Sequence, residues 1–268
     1  MKSLLLLLVL PAFASAHHGQ DFFVNLDART PAAGRFTAFA TLTSSESDFT
    51  LEPGILAGIG GGLALGATAD FTDNGSFHAT GITPLLQWSA ALGNSPLRIG
   101  ISTAFHFSDS SRSPVGTTTG GGHHHNHRSA RDVFNPDAPD PSGPAIDATP
   151  PAGSSTIHLH GTDYYQSRIM LEWSVSDRLR SVANLIAAGT SGSNLALGYS
   201  VGIRREVTPL LAVGLESIGD FNFHGHHQVI GSVIITPRHD LGLRLGLGHG
   251  LGSAGDSTSL HTGITWRF

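Results

Sequence analysis

At 268 residues the chain has room for one large domain or two small ones, and its charged residues, 13% of the total, are about half the share usual in soluble proteins. Cysteine is absent, which excludes a disulfide framework and a thiolate zinc site. The formal charge of −5 includes a single lysine, Lys2, and no basic patch, so nucleic acid is excluded as a partner.

The chain begins with the three parts of a secretory signal peptide, residues 1–16: Lys2, the apolar run Leu4 to Leu10, and Ala14-Ser15-Ala16 as the cleavage site. The apolar stretch to Phe13 is far shorter than the ~20 residues an anchoring helix needs. Cleavage there would start the mature chain at His17, with residues 17–34 as a periplasmic N-terminal tail. A free α-amino group and the His17 ring could together chelate copper; a frayed tail is the plainer alternative. No later run reaches about 18 apolar residues, so any membrane span must be made of strands.

From residue 35 onward, strand-like segments follow one another to the end. The clearest is Leu241 to Leu247, with leucines on one face and Gly242, Arg244 and Gly246 on the other. Leu195 to Arg204 repeats the pattern, as do Leu97 to Phe107 and Tyr165 to Val175. Segments 51–59 and 63–71 alternate less strictly, and 35–43, 77–89, 180–188, 210–219 and 227–236 more weakly still. With 260–268 these make about twelve strands, ten to fourteen being compatible with the weaker segments, each roughly the length a tilted transmembrane strand needs. The connections alternate in kind. Those at 90–96, 176–179, 206–209 and 237–240 are tight, and those at 108–160, 189–193, 220–226 and 250–256 are longer on average. Short turns on the periplasmic side and long loops outside are the arrangement of an all-β, antiparallel up-and-down transmembrane barrel over 35–268. A soluble β-sandwich or lipocalin-like barrel is the alternative, but its solvated face would carry mostly Gly, Ala and Ser with little charge.

On this topology thirteen of the sixteen histidines crowd one mouth of the barrel. His123, His124, His125 and His127 lie in the longest outer loop, with His158 and His160 at its far end. His224, His226 and His227 fill another loop, and His78, His106, His249 and His261 lie near the outer strand ends. Neutral imidazoles ligate zinc, copper and nickel, and a flexible tract such as H-H-H-N-H binds them without choosing between them. A solvated low-complexity loop and a charge switch in acid are the competing readings. The loop 108–160, rich in Pro, Gly and Thr, has too few apolar residues to fold alone and is expected to be disordered.

The inward faces carry Glu52, Asp70, Arg98, Arg168, Glu172, Arg204, Glu216, Arg244 and Arg267, a predicted lumen charge network. It fits either a plugged lumen or a narrow polar pore, and the small inward residues Gly198, Gly202, Gly242 and Gly246 favour some solvated space.

The last stretch, Leu260 to Phe268, places Leu260, Thr262, Ile264, Trp266 and Phe268 on one face and His261, Gly263, Thr265 and Arg267 on the other. Aromatic residues sit at the water–lipid boundary. Ending on alternating apolar residues and a terminal Phe, the strand resembles the last strand of bacterial outer-membrane β-barrels, more loosely those with His-rich outer loops. The resemblance implies an outer-membrane location in contact with lipid. It also implies recognition of Ile264, Trp266 and Phe268 by the barrel-assembly machinery as an insertion signal. It supplies no substrate.

Motifs of soluble enzymes do not fit. Gly198-Tyr199-Ser200-Val201-Gly202 matches G-x-S-x-G, but Ser200 falls in mid-strand where the nucleophile elbow is excluded. The glycines at 58–62 and 246–252 lack the helix and acid of a dinucleotide site. The leading expectation is a non-enzymatic barrel that collects zinc, copper or nickel on loop histidines for uptake or sequestration. A generic small-solute pore or structural barrel is the alternative, and a lipid-modifying enzyme the third.

Overall fold

The structure is a computed structural model, described over residues 21–45, 49–73, 77–108, 163–190, 195–221, 226–252 and 258–268. Twelve strands close into one barrel. They are β1 (Phe36–Ser44), β2 (Phe49–Gly60), β3 (Leu63–Asp73), β4 (Phe77–Ala91), β5 (Leu97–Ser108) and β6 (Tyr164–Ser176), followed by β7 (Leu179–Thr190), β8 (Ala196–Thr208), β9 (Leu211–Asp220), β10 (His226–Arg238), β11 (Leu241–Gly252) and β12 (Thr258–Arg267). Each strand pairs antiparallel with its neighbours in sequence, and β1 pairs with β12 to remove both edges. The seam runs from Thr37 opposite Arg267 to Ser44 opposite Leu260. Beyond it, Phe36 N–H donates to the Phe268 carbonyl at 2.8 Å and Phe268 N–H returns a bond to Phe36 at 3.0 Å. The two rings stack with centroids 5.7 Å apart.

The period-two pattern becomes an inside and an outside. Along β11 Leu243, Leu245, Leu247 and Leu251 are exposed, while Gly242, Arg244, Gly246 and Gly248 are buried in the lumen. Along β8 Leu197, Val201 and Ile203 point out, and Ser200 and Arg204 point in. An exterior of bare Leu, Ile, Val and Phe suits hydrocarbon and would be unstable in water. Short turns all lie at one end, here the inner end. There Gly60, Gly61 and Gly62 carry the β2–β3 reversal with positive φ of 108°, 61° and 79°, a conformation glycine adopts without strain. Trp88, Trp173 and Trp266 lie near this inner end, and Phe77, Phe105, Phe107 and Tyr165 near the other, two belts placed for the two membrane interfaces.

Candidate functional site

The lumen is occupied by the chain's own N-terminal segment. Residues 17–34 read as a periplasmic tail in the sequence; of these, Asp21 to Ala28 are buried inside the barrel. The segment enters at the inner end, where Gly34 N–H donates to the Gly58 carbonyl at 2.9 Å. A Cβ on Gly58 would collide with the Ala32 carbonyl, so the close passage requires glycine. Further in, Thr30 Oγ1 donates to Gly62 O at 3.1 Å, and Gln87 Nε2 donates to Asp27 O at 2.8 Å. The chain then turns at Asn25, Val24 and Phe23 and comes back. Asp21 N–H donates to the Asp27 carboxylate at 2.8 Å and closes the loop.

Apolar contact explains why the segment stays inside. Phe23 and Val24 pack with Ile186, Ile218 and Ile230 of the wall, and Leu26 and Ala28 pack with Met170. Full burial of each Phe, Val or Leu stabilises by about 1.5–3 kcal/mol relative to water. Of the inward glycines expected to leave solvated room, Gly202 and Gly246 leave room for these rings instead, while a Cβ on Gly242 would meet open space. A Cβ on Gly202 would sit 3.0 Å from the Phe22 ring, and one on Gly246 2.7 Å from that of Phe23.

Polar groups fix the register. The buried Glu216 carboxylate on β9 accepts from Phe23 N–H at 2.8 Å, Val24 N–H at 2.9 Å, Asn25 N–H at 3.2 Å and Asn25 Nδ2 at 3.1 Å. Three successive backbone N–H groups converging on one carboxylate form an anion nest, here closed by a side chain of the wall. Asp21 is held by Arg204 and Arg267, each at 2.9 Å, and by Arg180. Arg180 also lies 3.3 Å from Asp27, and Arg29 pairs with Glu172. Arg244 donates to the Phe22 carbonyl and stacks its guanidinium 5.0 Å from the Phe23 ring centroid. Burial pushes the Asp27 carboxyl up to about 7. Arg180 opposes this, and the nearby negative charges of Asp21 and Glu172 add to it.

Of the charges expected to line the lumen, Glu172, Arg204, Glu216, Arg244 and Arg267 gather around this segment. Arg168 lies beside it, 3.4 Å from Val24 O and 3.1 Å from Gln166. Arg98 approaches Ser89 at 3.4 Å. Glu52 and Asp70 are buried nearer the outer end, away from the segment. Arg180, Asp21, Asp27 and Asn25 were not foreseen. The signals were present: β7 alternates Arg180, Val182, Asn184 and Ile186 inward, and residues 21–28 read Asp-Phe-Phe-Val-Asn-Leu-Asp-Ala, too apolar for a solvated tail.

The described histidines are dispersed. His106 faces inward, with Nδ1 3.0 Å from Thr83 Oγ1 and 3.3 Å from Asp70, and its ring stacks on Tyr164. His261 is fully buried beside Phe23, its Nε2 2.8 Å from Ser259 Oγ, so it lies within the lumen wall and not on the rim. His227 contacts Tyr199 Oη at 3.1 Å, and His78 is half-buried on β4. His226 stands opposite Gly252 in register. Among the described residues no three His, Asp or Glu side chains are placed to hold a metal ion. His123, His124, His125, His127, His158, His160 and His224, with the signal peptide and the loop 109–160, lie outside the described residues.

No family model matches the sequence, and no curated protein matches it. Solved structures do. The chain is similar to the KdgM porin, at 8% identity over 87% of this chain and 99% of that one, with a TM-score of 0.57. It is similar to the COG4313 outer membrane channel from Pseudomonas putida F1, at 11% identity over 93% and 99%, with a TM-score of 0.53. For the NanC porin the values are 7%, 86% and 98%, with a TM-score of 0.51. Likeness at such low identity establishes the architecture: the chain has the fold of bacterial outer-membrane β-barrels.

Proposed function

We propose that the protein is a non-enzymatic outer-membrane channel for small solutes whose passage is set by residues 21–34. The observation that carries this reading is Glu216, a wall carboxylate that gathers the N–H groups of Phe23, Val24 and Asn25 inside the lumen. Closure already satisfies the backbone groups of the strands, so the hydrogen bonds of Glu216 act on the segment and hold it in the passage. The polar wall around the segment, with Gln87, Arg180, Asn184 and Ser200 facing in, is suited to water and solutes once the segment shifts. The porins and the channel that share the architecture support the same class of function. The test is single-channel conductance in planar bilayers, comparing the chain from His17 with a variant lacking residues 21–33. The variant should conduct in steps several times larger. Equal conductance, or none from either, would leave a structural barrel.

Metal collection by loop histidines is the second reading, and the run H-H-H-N-H at 123–127 is what favours it. Zinc, copper and nickel calorimetry on the full mature chain, beside a variant lacking 120–127, decides it. Binding at micromolar or tighter that collapses in the variant supports it, and absence of binding in both rejects it.

A further inference from the structure

The lipid-facing wall carries a groove of about 450 Å³ that runs from Leu97 of β5 to Val229 of β10, with Leu97, Trp173, Ser181 and Ile203 toward its inner end. Its floor is made by the small outward residues Ser181 and Ala183 of β7. Leu171 and Trp173 of β6 rise on one side, and Val201 and Ile203 of β8 on the other. The pairing produces this shape. Ser181 stands between Trp173 and Ile203, and Ala183 between Leu171 and Val201, so each small residue is flanked by two large ones.

The inner end of the groove is basic. Arg205 follows Ile203 on the same outward face of β8 and stands opposite Leu179, one pair below Ser181. Arg178 occupies the adjoining β6–β7 turn, where its carbonyl accepts from Glu206 N–H at 2.8 Å. Both arginines are exposed, and neither forms an ion pair with an acid among the described residues. The nearby acids are Asp177, exposed beside Arg178, and Glu206, which leans to Arg204 at 3.7 Å. Elsewhere on the inner rim the pattern is different: Arg238 is paired with Asp240, which also accepts from Trp266 Nε1 at 3.3 Å.

We propose that this groove seats one acyl chain of an anionic phospholipid, with the headgroup phosphate held by Arg178 and Arg205. From Arg205 to Val201 the strand climbs four residues, about 13 Å at ~3.3 Å per residue. At a strand tilt of ~40° that is roughly 10 Å along the membrane normal, about two thirds of the ~15 Å depth of one leaflet. Lipid tails are as apolar as leucine, so any acyl chain fills the groove equally well and selection falls to the headgroup. Arginine forks match phosphate oxygens, and each cation near an anionic lipid surface favours it by about five-fold.

Trp173 forms one wall and reports occupancy. The mature chain carrying Trp88→Phe and Trp266→Phe, reconstituted in phosphatidylcholine vesicles, leaves Trp173 as its sole indole. It would be titrated with phosphatidylglycerol or phosphatidylcholine brominated on the acyl chain. Brominated phosphatidylglycerol should quench at a mole fraction roughly twenty-fold lower than its zwitterionic counterpart, about five-fold for each of the two arginines. Replacing Arg178 and Arg205 with Gln should abolish that preference while leaving phosphatidylcholine quenching unchanged. Ala183→Leu, which fills the floor, should weaken quenching by both lipids, with far-UV circular dichroism confirming the barrel. Equal quenching by the two lipids in the parent overturns the proposal, as does a preference that survives the double Gln variant. A change of oligomeric state in Ala183→Leu with the lipid preference intact would assign the groove to a second copy of the chain and also overturn it.

Discussion

Glu216→Gln tests the arrangement in the lumen most sharply, because it keeps the shape of the side chain and changes only its acceptors. In the structure Oε2 accepts from Val24 N–H at 2.9 Å, from Asn25 N–H at 3.2 Å and from Asn25 Nδ2 at 3.1 Å, while Oε1 accepts from Phe23 N–H at 2.8 Å. A glutamine can place its carbonyl at one of these positions only, and its NH₂ then faces a donor. Hydrogen bonds to a charged group are each worth about 1.5–3 kcal/mol and neutral ones about 0.5–1.5 kcal/mol, while a buried opposed donor costs about 1–3 kcal/mol. Relief from burying the carboxylate offsets part of that loss. A net weakening of about 3 kcal/mol remains, which raises the released population of the segment roughly a hundred-fold. The chain contains no cysteine, so a single Ala28→Cys gives a clean probe. Ala28 is fully buried, and labelling of the Ala28→Cys variant by a water-soluble maleimide measures how often the segment leaves. Adding Glu216→Gln should accelerate labelling about a hundred-fold. Ala33→Cys, at an exposed position, should label fast in either background. Unchanged labelling at position 28 would show that Glu216 does not hold the segment.

Gly246→Val would bring a Cβ to 2.7 Å from the Phe23 ring, and so should expel the segment while the strand pairing stays intact. Larger conductance with unchanged far-UV circular dichroism is the expected result. Asp27 supplies the pH dependence. Its carboxyl is raised in the folded state, so the segment is held best below the ordinary carboxylate range and loosens as pH climbs to about 7. Labelling of the Ala28→Cys variant, taken relative to the exposed Ala33→Cys variant at each pH to cancel the titration of the thiol itself, should therefore rise across that window, and the rise should shrink when Asp27→Asn is added. Deleting Phe268 removes two backbone bonds at the seam and the stack on Phe36. At about 0.5–1.5 kcal/mol for each bond, the deletion should lower the urea midpoint in detergent clearly more than Phe268→Ala, which keeps the backbone bonds.

What could be read from the chain divides along a physical line. An outer face needs only to be apolar and an inner face only to be something else, so alternation in a segment such as Leu241 to Leu247 shows both the strand and its orientation. The weaker segments were weak for a reason visible only in three dimensions. On β7 the inward residues include Val182, Ile186 and Ala188, and on β9 and β10 they include Ile218, Ile230 and Ile234. Apolar side chains on the face meant to be polar blur the period, and they are there because Phe23 and Val24 press against several of them. The blur was therefore itself the signal for a guest in the lumen. The same holds for charge: the inward wall around Asp21 offers Arg180, Arg204 and Arg267, whose shortest ion pairs are all to Asp21 of the N-terminal segment, while Glu172 and Glu206 of the wall lie farther off, at 3.7 Å from Arg180 and Arg204. A surplus of inward arginine with apolar inward neighbours is what a barrel must display when part of its core is a loop contributed from outside the sheet. Residues 21–28 thus belong to the folded core of the barrel, and any opening of the lumen must first undo core packing as well as ion pairs.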